Sequence, residues 1–188
     1  HTRLELHGSE AVHLGVDDVV AHALDEAAQL AQHLVLLEAG RVRAQGRPTE
    51  LLTRLELPLA QGDAAAAVID GTVLRHDAHD HLTTVRFAGG ELLLVGALAR
   101  AVGSPVRLRI QARDVSLALA PATGSSILNI LPATVVEVAA DSPGQVMVAL
   151  EVGAARLLAR ITERSARTLA LQPGQRVFAQ IKGFALLR

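Results

Sequence analysis

The chain has 188 residues, of which 50% are hydrophobic and only 2% aromatic, and its formal net charge is −1. A near-neutral chain without Trp or Tyr excludes both a strongly basic nucleic-acid surface and a platform of stacking rings, so we expect no nucleic-acid partner. The absence of cysteine excludes disulfides, thiolate metal sites and cysteine nucleophiles.

The beginning of the chain, HTRLELHGSE, lacks the apolar core of a signal peptide and has no initiator methionine. No stretch reaches the roughly 20 consecutive apolar residues that a membrane span needs. We therefore expect a cytoplasmic protein, and either a fragment of a longer protein or the product of a degenerate gene.

The first 60 residues have α/β patterning. A short buried strand is predicted at 19–21, followed by a helix with helical apolar spacing over 24–34 and two acidic residues in its first turn. The stretch LVLLEAGRVRAQG predicts two strands about a turn at 39–40. Pro48 begins another predicted helix, which Pro58 ends.

The stretch AQGDAAAAV predicts a linker at 61–70, and the sequence pattern changes after it. From residue 71 onward, short alternating strands are separated by turn signals about every ten residues, which favours small antiparallel barrels of the OB type. A short helix is predicted at TERSARTLAL, opened by Thr162. The fold class is therefore mainly β, with OB-like barrels after a short α/β segment.

A faint repeat indicates two barrel units within 71–188. The spacing Gly-x2-Val-x3-Ile occurs twice, beginning at Gly103 and at Gly174. The stretches GSPVRLRIQARDVSL and GQRVFAQIKGFALL would then be equivalent strand pairs.

Two histidine features have an ordinary explanation on residue chemistry alone. The stretch HDAHDH at 76–81 contains imidazoles and carboxylates that metals bind, but it joins two predicted strands, where a polar loop is expected. We therefore predict no metal site. His22 lies at a predicted strand-to-helix junction, and the sequence contains no GxxxxGK[ST] phosphate loop on which a catalytic histidine could act.

An anion site has better support. Thr162 and Ser165 occupy the N-cap and N3 positions of the predicted short helix, whose start offers unpaired N–H donors. Lys182 could add a positive charge, although plain helix capping by Thr162 remains the alternative. A second turn of small residues, GSSILN, adds further donors at Ser125, Ser126 and Asn129.

The motif order resembles that of a known family. VVAHALDEAAQLAQHLVLLEAGRVRAQG resembles the end of an ABC-transporter ATPase domain, with a switch histidine before a Leu-Asp-Glu-Ala helix. GSSILNILPATVVEV together with ARITERSARTLALQPGQRVFAQIKGFALL resembles a molybdate-binding barrel. RIQARDVSLAL just before them is typical of the ATP-binding subunit of molybdate importers, and the resemblance covers about residues 19–188.

This resemblance implies an organisation and a partner set. Residues 1–60 would be the C-terminal remnant of the nucleotide-binding domain, and 71–188 a regulatory TOBE/Mop-like domain. The intact subunit would act as a homodimer beneath the membrane subunits at the inner membrane, where ATP and Mg²⁺ drive molybdate or tungstate uptake. His22 would contact the γ-phosphate only in an intact ATPase, and this chain alone should not hydrolyse ATP.

The resemblance also implies oxyanion donors, which fall on Ser126, Thr162, Ser165, Lys182 and the backbone of Gly183, at an interface between subunits. Many such barrels have an arginine where this chain has Leu128, and a guanidinium is a strong, often bidentate donor. Arg113 is a candidate replacement. The alternative is a structural dimerisation module that binds no anion. Residues 1–57 are expected to be poorly ordered or to pack against a partner, because their apolar faces lack the rest of the ATPase.

Overall fold

The computed structural model describes residues 31–96 and 100–187, together with the backbone of 10–14. The predicted strand at 19–21, His22 and the predicted helix as far as residue 30 lie outside the described residues.

The first described unit is a three-stranded antiparallel sheet in the order β1-β2-β3. Its strands are β1 (Glu10–Leu14), β2 (Leu34–Glu38) and β3 (Arg41–Gly46). The predicted hairpin β2–β3 is confirmed, and its turn residues Ala39 and Gly40 both have positive φ angles, 49° and 75°, as a tight hairpin requires. Strand β1 was not predicted, because residues 1–16 show no clear periodicity. Leu34 begins a strand instead of ending a helix.

The helix predicted from Pro48 to Pro58 is much shorter than expected. It spans only Pro48–Leu51, and a 3-10 turn follows at Pro58–Ala60. The hydroxyl of Thr53 donates to the carbonyl of Glu50 at 3.1 Å. Such local hydrogen bonds from Thr compete with the helical ladder, so apolar spacing alone overestimated the helix.

The α/β segment packs against the rest of the chain. Leu34, Leu36, Leu51 and Leu52 are each at most 1% exposed. They share one apolar cluster with residues of the β-rich part, Val68 and Leu187. The expectation that residues 1–57 are poorly ordered for want of cover is therefore wrong for residues 31–57, because the β-rich part supplies apolar surface that buries them.

The β-rich part consists of two five-stranded antiparallel sheets, which confirms the mainly-β prediction. One has the order β13-β7-β4-β5-β6 and the other β11-β10-β9-β12-β8. The strands are β4 (Ala66–Asp77), β5 (Leu82–Phe87), β6 (Gly90–Val95), β7 (Pro105–Gln111), β8 (Val115–Ala118), β9 (Asn129–Ser142), β10 (Gln145–Val152), β11 (Ala155–Thr162), β12 (Arg176–Ile181) and β13 (Ala185–Leu187). Strand β4 extends five residues into the predicted linker 61–70, because residues 66–69 are buried.

The repeat is visible in the topology, with an exchange of strands. Each sheet contains four consecutive strands of one repeat and the last strand of the other: β13 pairs with β7, and β8 pairs with β12. Gly103 and Gly174 have φ angles of 87° and 84°. Their N–H groups each donate at 2.8 Å, to the carbonyls of Val73 and Val135 respectively. The Gly-x2-Val-x3-Ile spacing therefore marks equivalent places in the two sheets.

A single large apolar cluster lies between the two sheets, built from the inward residues of both. It consists of Val, Leu, Ile and Ala with Phe87 as its one aromatic residue. Because each sheet includes a strand of the other repeat, the two repeats share this core.

Candidate functional site

Two crossover segments connect the sheets. Residues 182–184 lead from β12 to β13, and the 3-10 turn Ala112–Asp114 leads from β7 to β8. The N–H of Lys182 donates to the carbonyl of Asp114 at 3.0 Å. Lys182 and Gly183 are therefore held where the repeats exchange strands.

A cavity of about 530 Å³ opens beside the Lys182 crossover. Its non-apolar lining consists of Ser126, Asn129, Lys182 and Gly183, so four of the predicted site residues come together. Lys182 is the one charged residue in this lining. The remaining lining is apolar and includes residues of both repeats: Leu93, Leu94, Val95, Ile127, Leu128, Ile181, Phe184 and Leu186.

The two serines of the GSSILN turn have different contacts. The hydroxyl of Ser125 accepts from the N–H of Ile127 at 3.1 Å and so shapes the turn. Gly124 begins this stretch with a φ of 68°. Ser126 lines the cavity, whereas Ser125 does not. Of the two, Ser126 is the one placed to donate to a ligand.

Asn129 joins the second repeat to the first. Its side chain Oδ1 accepts from the N–H of Leu93 at 2.7 Å, and its Nδ2 donates to the carbonyl of Leu93 at 3.0 Å. Asn129 is 7% exposed. The side-chain amide thus makes the two hydrogen bonds to Leu93 that a neighbouring strand would make at the edge of β6. The second N–H of its Nδ2 is not used in these bonds.

Replacing Asn129 with alanine is expected to destabilise the protein by about 1–3 kcal/mol, because two backbone groups of Leu93 lose their partners. Urea unfolding followed by circular dichroism measures the change. Ser125→Ala, which removes one exposed hydrogen bond, is the matched control and should cost less than about 1 kcal/mol. Equal midpoints for the two variants would contradict the role of the amide.

Thr162 and Ser165 form the predicted cap on the helix Glu163–Thr168. The Thr162 hydroxyl accepts from the N–H of Ser165 at 3.0 Å, and the two hydroxyl oxygens are 2.8 Å apart. Both residues are exposed, but neither lines the cavity that contains Lys182. One chain therefore does not bring all the predicted donors together at this cavity.

The strand registers explain this separation. Val95 pairs with Leu82 at the open end of hairpin β5–β6, and Thr162 pairs with Gln145 at the open end of hairpin β10–β11, which is two residue pairs longer. Counted from the two turns, Val95, which lines the cavity, is the counterpart of Arg160, and Thr162 lies two residues farther along its hairpin. The cavity combines the Lys182 crossover of one repeat with the end of β6 of the other, whose lining residues Leu93, Leu94 and Val95 carry no hydroxyl.

The crossover from β7 to β8 is equivalent to the Lys182 crossover, but it carries different residues. Asn129 pairs with Ile181, as Ala67 pairs with Ile110. The counterparts of Ser126 and Lys182 are therefore Ala64 and Gln111. Each chain consequently carries the lysine and serine at one crossover and the Thr162–Ser165 hydroxyls at the end of strand β11, which contacts the other crossover, and these two places are the candidate half-sites.

Two further positions were singled out in the sequence. Leu128, where an arginine was expected, is 59% exposed and lines the cavity with Val95, which is 88% exposed. Arg113 is exposed on the neighbouring crossover but does not line the cavity. The cavity mouth is accordingly more apolar than the resemblance implied.

A buried ion-pair network lies beside the counterpart half-site. Arg160 donates from Nε to Asp141 at 2.6 Å and from Nη2 to Ser142 at 3.0 Å, and it also pairs with Asp63. The Asp141 side chain is 0% exposed and that of Arg160 12% exposed. Sequence reasoning missed this network. The one available signal was the second of two arginines, Arg156 and Arg160, within the otherwise apolar strand ARLLARI.

The charge state of Asp141 follows from its surroundings. Burial by itself raises the pKa of this carboxyl, but a hydrogen bond from the Gly62 N–H and the Arg160 guanidinium outweigh that effect. The pKa of Asp141 is therefore lowered below its ordinary value of 3.8. The pair is ionised at neutral pH.

The stretch 76–81, predicted as a loop, is one only in part, because His76 and Asp77 end strand β4 and residues 78–81 form the turn to β5. The ring of His76 contacts the Thr83 hydroxyl and the Arg100 carbonyl, each at 2.9 Å. The Asp77 carboxylate accepts from the N–H groups of His79 and Asp80. Among the described residues, no group of three or more His, Asp or Glu side chains could hold a metal ion.

No helix within the described part of the chain is long and apolar enough to cross a membrane.

Comparison with known proteins adds a family context. Residues 125–186 match the TOBE domain family. The chain is 61% identical over 168 residues to the molybdenum import ATP-binding protein ModC of Albidiferax ferrireducens, covering 89% of this chain and 45% of that protein. It is 50% identical over 169 residues to the molybdenum import ATP-binding protein ModC 1 of Azotobacter vinelandii, covering 89% and 46%. The chain thus spans about half the length of these curated relatives.

A solved structure has a similar fold. It is the cytoplasmic molybdate-binding protein ModG in a crystal form with molybdate bound, with a TM-score of 0.56 and 24% identity. The match covers 63% of this chain and 93% of that one. It supports the prediction of paired OB-like barrels.

Proposed function

The chain is related to the ATP-binding proteins of molybdenum import and carries a TOBE domain at residues 125–186, and from this premise we propose that it is the oxyanion-binding, dimerising regulatory region of such a subunit. The observation that carries the proposal is the cavity that joins Ser126, Lys182 and the backbone of Gly183. Its one ammonium group and hydroxyl suit a tetrahedral oxyanion such as molybdate or tungstate.

The complete site is formed between two copies of the chain. The half-site with Lys182 and Ser126 lacks the hydroxyl pair, and the half-site with Thr162 and Ser165 lacks the lysine. In a twofold dimer, the Lys182 half-site of each chain faces the Thr162 half-site of the other chain. Two complete sites would therefore form per dimer. Asn129 contributes its remaining N–H, whereas Ser125 supports the turn that positions Ser126.

Regulation follows from linkage. An anion that binds one arrangement of the paired barrels more tightly than another shifts the population of that arrangement. In the intact importer subunit, at the cytoplasmic side of the inner membrane, this shift would change how the ATPase domains of the two subunits approach each other. His22 would act there as the switch histidine beside ATP and Mg²⁺, under the transporter membrane subunits.

Calorimetric unfolding of the purified chain with molybdate, with sulfate as the control anion, tests this function. A ligand that binds only the folded protein raises its melting temperature, by about 5–10 °C at a concentration about 100 times the dissociation constant. A rise with molybdate and none with sulfate supports the proposal. Equal melting temperatures with and without millimolar molybdate would contradict it.

Restoring an arginine at position 128 is expected to strengthen molybdate binding about tenfold or more, since a guanidinium adds charge-assisted hydrogen bonds at the cavity mouth. Isothermal titration of Leu128→Arg against the wild-type chain measures the gain. Leu128→Met keeps an apolar side chain of similar size and should bind as the wild type does. A Leu128→Arg affinity equal to that of Leu128→Met would place the anion elsewhere.

The second candidate is a structural module that dimerises the transporter without binding an anion. The exposed Leu128 and Val95 at the cavity mouth favour it, because apolar surface suits contact with another chain. A stable dimer that shows no molybdate-dependent change in melting temperature would favour this candidate over the first.

A further inference from the structure

We propose that the short strand β13 transmits anion binding from the cavity to the α/β segment at residues 31–60, here called the ATPase-related segment, with Leu187 as the coupling residue. This inference rests on the proposed oxyanion function and names the route by which it would act. It follows from the position of β13 between the cavity and the cluster formed by Leu34, Leu36, Leu51 and Leu52.

Neighbouring residues of β13 face different parts of the molecule. Leu186 lines the cavity and packs against the core between the two sheets. Leu187 packs against the apolar cluster of the ATPase-related segment. Successive side chains of a strand point to opposite faces, so a shift of β13 changes both contacts together.

The cavity side of β13 is directly continuous with the ligand donors. Lys182 and Gly183 immediately precede Phe184 and the strand. An anion held by Lys182 therefore restrains the segment from which β13 starts. No other element stands between the donor and the strand.

β13 is also lightly held within its own sheet. It is an edge strand of three residues, paired only with residues 107–109 of β7. Short edge elements open at lower free energy than the interior strands of a sheet. A ligand can thus order β13 without rearranging the core.

A second contact ties the same place to the ATPase-related segment. Arg107 pairs with Leu187 across the sheet, and its Nη1 donates to the carbonyl of Ala31 at 2.7 Å. Its Nε donates to Asp70 at 2.7 Å. Ordering of β13 would therefore stabilise both the apolar cluster and the approach to β2.

Hydrogen exchange on the full chain, with and without molybdate, tests this coupling. Saturating molybdate is expected to slow exchange of the amides of β2 and β3 by about fivefold or more. Leu187→Ala should reduce that slowing to less than about twofold while saturable molybdate binding persists. Leu187→Met, which refills the contact, should restore the effect.

The controls separate this inference from the function on which it rests. Val102→Ala removes exposed apolar surface outside both the cavity and the cluster and should leave the molybdate effect unchanged. Saturable binding with no change of exchange in β2 and β3, or a full effect in Leu187→Ala, would overturn the coupling alone. A wild-type chain that binds no molybdate would overturn the proposed function and the coupling with it.

Discussion

Replacing Lys182 with alanine is expected to weaken molybdate binding by about tenfold to 100-fold, because hydrogen bonds to charged groups contribute about 1.5–3 kcal/mol. Lys182 supplies the one formal positive charge in the cavity lining. Lys182 is an exposed residue, so the loss of its side chain should leave the fold intact. Isothermal titration measures the affinity, and unchanged circular dichroism confirms the fold.

Mixing two defective variants tests whether this lysine acts across a dimer interface. A Lys182→Ala chain paired with a Thr162→Ala/Ser165→Ala chain would retain one site with every donor. Random pairing should recover about a quarter of the wild-type sites, because half of the dimers are mixed and each keeps one of its two sites. Mixtures that bind no better than either variant alone would show that the donors do not combine across chains.

Replacing Arg160 with leucine is expected to destabilise the fold by about 3–5 kcal/mol, the cost of leaving a buried charge without its partner. The stranded group is the Asp141 carboxylate, whose side chain is 0% exposed. Asp63→Asn removes the other carboxylate that pairs with Arg160, and the Asp63 side chain is 79% exposed. That control should cost less than about 1 kcal/mol, as exposed ion pairs do.

The pH dependence of the same pair has a definite sign. Because the pKa of Asp141 is lowered on folding, the pair stabilises the protein above the ordinary pKa of 3.8 and this contribution is lost as the pH falls below it. The stability difference between the wild type and Arg160→Leu should therefore be full at neutral pH and shrink in acid. Urea midpoints measured from pH 7 downward provide the test. A difference that grows in acid would contradict the assigned charge state.

The β-rich part of the fold could be predicted because its strands alternate in polarity and are separated by turn residues. Gly103 and Gly174 marked the repeat for a reason that the structure makes clear: each adopts the left-handed backbone where glycine is favoured. The helix after Pro48 was overestimated because Thr53 forms a local hydrogen bond that periodicity does not reveal.

The exchange of β8 and β13 between the sheets was beyond sequence reasoning. Strands β8 and β13 have the same alternating pattern whether each pairs in the sheet of its own repeat or in the sheet of the other. Only tertiary contacts decide between the two pairings. This exchange places Val95 of one repeat beside Lys182 of the other. It also separates Thr162 from the cavity within one chain, which no spacing along the chain indicates.

The site was therefore predicted in its parts and not in its arrangement. Residue chemistry identified Ser126, Lys182 and the Thr162–Ser165 cap, because each offers donors suited to an anion. It did not identify Asn129 as a bridge to Leu93, since an amide that replaces strand pairing looks like any polar residue in a turn. Arg160 was missed because its partners, Asp63 and Asp141, are far from it along the chain.

Isothermal titration of the purified chain with molybdate, with sulfate in a parallel experiment, tests the oxyanion function most directly. The account predicts saturable heat with molybdate alone, with one anion bound per chain of a dimer and an affinity about tenfold to 100-fold weaker in Lys182→Ala. A folded dimer that produces no heat at millimolar molybdate would contradict it and leave a barrel scaffold that binds no anion.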